Sequence, residues 1–170
     1  INGIPKDGVT AKDIILHLIS KHGANGANGH AIEFQGETID RMSIESRLTL
    51  CNMAVEFGAM TGIISPDKKT IEYISGKAFA PEKGDQKLAE EYWASLKSDD
   101  GAHFSKVIDI DASKLNTYVT WGTSPEHAIE IKEKIPSIDD ANSSKENTSI
   151  KKALDYMGLE ENDAIRGTKI

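Results

Sequence analysis

The chain has 170 residues, 38% hydrophobic and 28% charged, which suits one soluble globular domain that buries its own core without staples. Its formal net charge of −7, with no basic run, argues against nucleic acid or an anionic membrane as a partner, and no apolar stretch approaches the ~20 residues of a membrane span. A lone cysteine, Cys51, excludes an internal disulfide and suits a reducing compartment; with no signal peptide at the start, a cytoplasmic location is expected.

Thr10 and Asp13 make a capping box for a first helix whose stripe is Ile14, Ile15, Leu18 and Ile19 and whose end is Gly23. GANGANGH (23–30) tempts a phosphate-loop reading. It follows a helix and leads into a strand, the reverse of a dinucleotide loop, and it lacks the Lys-Ser/Thr ending of a nucleotide P-loop. A helix C-cap with a tight connection accounts for it. HAIEF (30–34) then reads as a strand, and Ser43 caps a helix expected to run to about Met60. TGIIS (61–65) reads as a buried strand closed by Pro66, and Asp67 caps a helix through Ile71 and Ile74 to Gly76. After the loop FAPEKGD, Asp85 opens a helix with Leu88, Ala89, Tyr92, Trp93 and Leu96 on one side.

KVIDID (106–111) predicts a strand with Ile108 and Ile110 facing one way, and TYVTWG (117–122) a second. PSIDDANSSKENTS (136–149) is turn-rich and polar, an expected exposed linker, before a helix from about Ile150 to Met157. Strands alternating with helices give an α/β layered domain. The chain starts INGIPKDG without Met and stops at GTKI, where the last Ile reads as the opening of a buried strand. A piece of a longer protein is therefore expected.

Five histidines are scattered without metal-ligand spacing. His17 lies off the apolar stripe of its helix and is expected in solvent, whereas His30 and His103 are expected to be buried and hydrogen-bonded. Cys51, among Leu48, Val55 and Ala59, reads as a small core side chain.

Asn52 and Glu56 are the anomaly. At 100° per residue, positions 44, 48, 51, 55 and 59 form an apolar stripe about 80° wide, and 52 and 56 stack along its edge. Ala54, Gly58, Ala59 and Gly62 permit close approach there. Two readings stand level on spacing alone: a solvated edge, or a site where this domain meets a neighbour.

SIESRLTLCNMAVEFGAMTGIISPD (43–67), with its Cys-Asn-Met-x-x-Glu core, resembles the segment shared by aconitases and isopropylmalate dehydratases. GVTAKDIILHLI, GHAIEFQGETIDRMS, GAHFSKVIDIDASKL, VTWGTSPE and ALDYMGLE follow in the same order as in that family, on its dehydratase side. The resemblance covers nearly the whole chain apart from 136–149. It implies a three-layer α/β/α domain, the second of three in a dehydratase large subunit, at 1–135. An exposed linker at 136–149 and a helix and strand start at 150–170 would lead toward a cluster-binding domain.

It also implies a hydro-lyase that isomerises 2-isopropylmalate to 3-isopropylmalate in leucine biosynthesis. The cofactor would be a [4Fe–4S] cluster held by three cysteines outside this chain, and a separate small subunit would be the partner. Within the resemblance, Asn52 matches an asparagine beside the cluster without being a ligand, and Glu56 a glutamate of acid–base function. The piece alone is expected to be inert. A homoaconitase, aconitase or citraconate-type dehydratase domain, or a free-standing non-catalytic α/β module, are the alternatives.

Overall fold

The computed structural model describes residues 1–82, 84–140 and 144–167. Helix α1 spans Ala11–His22. Its N-terminus is fixed by Asp13, whose Oδ2 accepts from the Thr10 amide at 2.7 Å and the Thr10 hydroxyl at 2.6 Å. The same carboxylate is buried, and its Oδ1 takes the Tyr118 amide at 2.7 Å, so one side chain caps the helix and pins a strand 105 residues away. Ile14, Ile15, Leu18 and Ile19 are all buried, as the stripe requires. Gly23 ends the helix at φ +77°, a conformation that favours glycine, with its N–H on the Ile19 carbonyl at 2.8 Å.

The loop after α1 leads into β1 (Ala31–Glu33), and a short α2 (Glu37–Arg41) follows. Helix α3 (Ile44–Met53) starts at Ser43, whose hydroxyl oxygen accepts from the Ser46 amide at 3.3 Å. Beyond α3 comes β2 (Thr61–Ile63), parallel to β1 with Ala31 opposite Thr61 and Glu33 opposite Ile63. Parallel pairing requires a crossover, here supplied by α2 and α3. Asp67 caps α4 (Lys68–Ile74) through the Thr70 amide at 3.0 Å, and α5 covers Gln86–Ala94.

The rest of the chain forms an antiparallel hairpin, β3 (Tyr118–Thr120) with β4 (Ala128–Glu130), and a final helix α6 (Ser144–Met157). The protein is thus mixed α/β with small sheets, each of two strands among the described residues.

Hydrophobic burial, the main favourable term in folding, is organised around two clusters. The first joins the α1 stripe to Phe34, Ile39, Leu50, Ala54, Phe57, Ile110 and Leu115; the second joins Trp121, Ile129 and Ile135 to Ile150, Ala153 and Leu154 of α6.

Several expectations change. Helix α3 ends at Met53 rather than near Met60, because residues 54–58 turn back toward β2. Helix α6 begins at Ser144 rather than near Ile150, and a 3-10 turn occupies Ile138–Asp140, so ordered structure reaches into the stretch read as a linker. KVIDID forms no strand: Ile108 is half-buried and Ile110 buried while Val107 is exposed, the expected alternation, but a strand needs a partner and only the rung at Asn2 is made. The strand start expected at Ile170 lies outside the described residues. The expected apolar side of α5 is split: Ala89 and Trp93 are half-buried, whereas Leu88 and Tyr92, and Leu96 just beyond the helix, are exposed.

Candidate functional site

The site is built from the C-terminal end of α3 and the turn that follows it. Phe57, 2% exposed, anchors the turn in the first core, and its carbonyl accepts the Ala27 amide of the glycine-rich loop at 3.0 Å. Gly58, at φ +91°, donates to the Val55 carbonyl at 2.9 Å, and Ala59 donates to the Ala54 carbonyl at 3.0 Å. A Cβ on Gly58 would sit 2.9 Å from the Ala24 carbonyl oxygen, so the loop and the turn lie backbone against backbone. The GANGANGH run is therefore a packing surface for this turn; a Cβ on Gly26 would meet the Phe57 ring.

Asn52 sits in the last turn of α3, and Glu56 on the turn rather than on the helix. Both are exposed, and among the described residues neither side chain has a hydrogen-bond or ion-pair partner. Around them Leu48 is 57% exposed, Val55 61% and Met60 77%. The stripe read from the sequence is thus split: Leu48 and Val55 face outward, Ile44 and Cys51 are half-buried, and Ala59 is buried. Arg47, Leu50, Ala54 and Phe57 make the inward face.

Arg47 holds that inward face together. It is 5% exposed; its Nε donates to the Ile39 carbonyl at 3.2 Å, and its Nη2 to the Asp40 carbonyl at 3.2 Å and to Asp67 Oδ2 at 2.6 Å. A buried cation needs such partners. The hydrogen bond from Arg47 draws the Asp67 carboxyl down to about 2, with the Thr70 amide helping. Sequence reading missed Arg47; the signal was the polar residue at the i+3 spacing shared with Leu50.

Cys51 is half-buried against the first core, and burial pushes its thiol up, away from the thiolate that binds metals. The described residues hold no group of three or more His, Cys, Asp or Glu side chains able to bind a metal ion. With one cysteine, the chain does not by itself supply the ligands of a three-cysteine cluster.

The histidines are placed differently from expectation. His17 is half-buried with Nδ1 2.8 Å from the Tyr118 hydroxyl, and burial lowers its pKa, followed by the charge of Lys21. His30 and His103 are exposed rather than buried, though His30 keeps the expected hydrogen bond, its Nδ1 2.9 Å from the Asn28 carbonyl. The buried one is His127, 7% exposed and stacked on Trp121 with ring centroids 4.6 Å apart. No helix among the described residues is long and apolar enough to cross a membrane.

The exposed Asn52 amide and Glu56 carboxylate thus stand open to water beside the uncovered side chains of Leu48, Val55 and Met60. Residues 1–170 match the aconitase family (aconitate hydratase). The chain is 48% identical over 163 residues to the 3-isopropylmalate dehydratase large subunits of Campylobacter jejuni subsp. jejuni serotype O:6 (strain 81116) and serotype O:23/36 (strain 81-176), and of C. jejuni strain RM1221. Each match covers 96% of this chain and 35% of the relative. The chain spans about a third of these relatives, and the outward turn lies inside the matched region: the chain belongs to the aconitase family.

Proposed function

We propose that the chain is one domain of a 3-isopropylmalate dehydratase large subunit, the second of three, and that it presents Asn52 and Glu56 to an active site completed by other parts of the protein. The reaction would be the isomerisation of 2-isopropylmalate to 3-isopropylmalate in leucine biosynthesis, in the cytoplasm. The small subunit would be the partner, and a [4Fe–4S] cluster would be held by cysteines outside this chain. In this reading the two small sheets belong to a three-layer α/β/α domain. Residues 136–149 and α6 then connect it to the domain that follows.

One observation carries the proposal. Glu56 is held on a turn fixed by Phe57, Gly58 and the glycine-rich loop, yet its carboxylate has no partner among the described residues and lies beside exposed Val55 and Met60. Rigid placement of an unpartnered carboxylate costs nothing in this domain and gains function only when a neighbour closes over it. Once covered, such a group can take and return a proton at the substrate carbon or hydroxyl. The Asn52 amide, one turn away, offers both a donor and an acceptor for orientation.

The test is Glu56→Gln, which keeps shape and removes charge and proton exchange. In the complete enzyme with its small subunit, kcat should fall by roughly 10²–10⁴ with a much smaller change in KM. In the 170-residue chain, unfolding free energy should change by less than about 1 kcal/mol. A large stability loss with near-normal kcat would make Glu56 an ordinary structural residue.

A further inference from the structure

A cavity of about 360 Å³ lies between β1 and residues 104–110, floored by Leu18, Ala27 and Phe57. From its dimensions and edges we infer that it is the seat of one more parallel strand, namely the polypeptide that leads into Ile1 in a longer protein. This inference does not depend on the activity proposed above.

The hydrogen-bond parity makes the case. Toward β2, β1 uses its even positions: the His30 carbonyl accepts from the Met60 amide at 2.8 Å and the Phe34 amide donates to the Ile63 carbonyl at 2.9 Å. In a parallel ladder the odd positions, Ala31 and Glu33, then aim their N–H and C=O groups the other way, into the cavity. The next odd position, Gln35, already has a partner on that side, since its carbonyl accepts from the Ile1 nitrogen at 2.7 Å. The Ile1 carbonyl in turn accepts from the Thr38 amide at 3.2 Å. On the far side Asn2 donates to the Ile110 carbonyl at 2.9 Å and accepts from the Ala112 amide at 2.7 Å, a parallel bridge.

Residues 1 and 2 are therefore the end of a strand already threaded between β1 and the 106–111 segment. Its backbone direction points back along the cavity, and at this level one chain fills the gap. Among the described residues, the cavity-facing groups of Ala31 and Glu33 have no backbone partner, and neither do residues 106–109. Ala31, Lys106, Val107 and Asp109 are exposed and Glu33 and Ile108 half-buried, so the two facing backbones are open sheet edges, and an open edge of this kind takes an added strand. The same occupant accounts for KVIDID, whose side chains alternate as a strand although its ladder is missing. Ile1 packs on the first core, so alternate residues upstream of it would point to Leu18 and Phe57, and the others away.

The test extends the 170-residue chain at Ile1 by Val-Lys-Val-Lys-Val-Lys, which places each valine in register with Ile1. A control extension, Val-Pro-Val-Pro-Val-Pro, keeps the valines but cannot occupy a central strand. Amide exchange is read residue by residue by NMR, with sedimentation confirming monomers. The amides of Ala31, Glu33 and Ile108 should exchange at least about tenfold more slowly with the lysine extension and unchanged with the proline one, and the urea midpoint should rise only with the former. Equal rates in extended and unextended chains, or equal slowing by both extensions, would overturn the proposal. So would concentration-dependent protection in the unextended chain, which would give the edge to a second copy.

Discussion

Arg47→Met removes a buried cation at the edge of the first core, the one buried Lys or Arg among the described residues, while keeping most of its stem, and the structure sets what that should do. Three hydrogen bonds are lost, to the Ile39 and Asp40 carbonyls and to Asp67. Bonds to charged groups are worth about 1.5–3 kcal/mol each when nothing replaces them, and breaking a fully buried pair costs about 3–5 kcal/mol. The true loss is smaller, because every partner has a substitute. The Ile39 carbonyl still accepts from the Met42 amide at 3.1 Å and the Asp40 carbonyl from Lys69 Nζ at 2.6 Å, while Asp67, 36% exposed, can return to water. We expect a loss of about 2–3 kcal/mol at pH 7 in urea unfolding.

The pH dependence is a second readout. Asp67 has its folded-state value depressed to about 2 from 3.8, so its contribution is complete above the unfolded value and is lost as pH falls through about 2. Discounted for exposure, that part amounts to about 1 kcal/mol. The gap between the native chain and Arg47→Met should therefore narrow by about that amount between pH 5 and pH 2. A loss below about 0.5 kcal/mol at pH 7, or a gap that widens in acid, would refute the reasoning.

Other substitutions test the packing and the titrating groups. Gly62→Ala puts a Cβ 2.7 Å from Cys51 Cα and 2.9 Å from its carbonyl oxygen, backbone that cannot yield easily, so a loss of about 1–3 kcal/mol is expected by denaturation; an unchanged midpoint would mean α3 and β2 are not in contact. Cys51 should alkylate slowly with iodoacetamide at pH 7, since its thiol is pushed up by burial, and rapid modification seen by mass spectrometry would contradict that burial. Cys51→Ser should cost about 0.5–1.5 kcal/mol, in keeping with a half-buried site. His17 and His127 both have values lowered chiefly by burial, so each opposes folding when protonated and stability should fall as pH drops below about 6.5. Replacing both by Phe should flatten that slope between pH 7 and 5, and an unaltered slope would place the titration elsewhere.

Local signals in the sequence were sufficient wherever the determinant is local. The Thr10–Asp13 box, the Ser43 and Asp67 caps and the Gly23 stop are set by atoms within four residues, and each forms as written. The misplacements have distant causes. His17 was expected in solvent because its own helix leaves it off the stripe, but β3 folds over it and brings the Tyr118 hydroxyl to 2.8 Å. KVIDID has a strand's alternation but no ladder partner beyond the Asn2 rung. The early start of α6 reflects tertiary support, since Ile150, Ala153 and Leu154 seat against Trp121 and Ile135 and carry a polar leading turn with them.

The outward stripe of α3 carries the most functional information. A helix apolar all round reads as fully buried, and residues 44–59 invite that reading, with apolar side chains on both faces. In the structure one face, Leu50, Ala54 and Phe57 with Arg47 satisfied among them, is closed by the chain itself, and the other, with Leu48 and Val55, is open. Exposing several large apolar side chains on one helix and its following turn is unfavourable by roughly 25 cal/mol per Å² left wet, and contiguous patches of this kind mark surfaces that another body covers. Asn52 and Glu56 stand on that open face. The same cover that would dry Leu48, Val55 and Met60 would desolvate the carboxylate and strengthen any charge interaction it makes. Under the proposed function the hydrophobic pattern and the two polar residues share one explanation, a site that this domain would carry and a neighbour would complete.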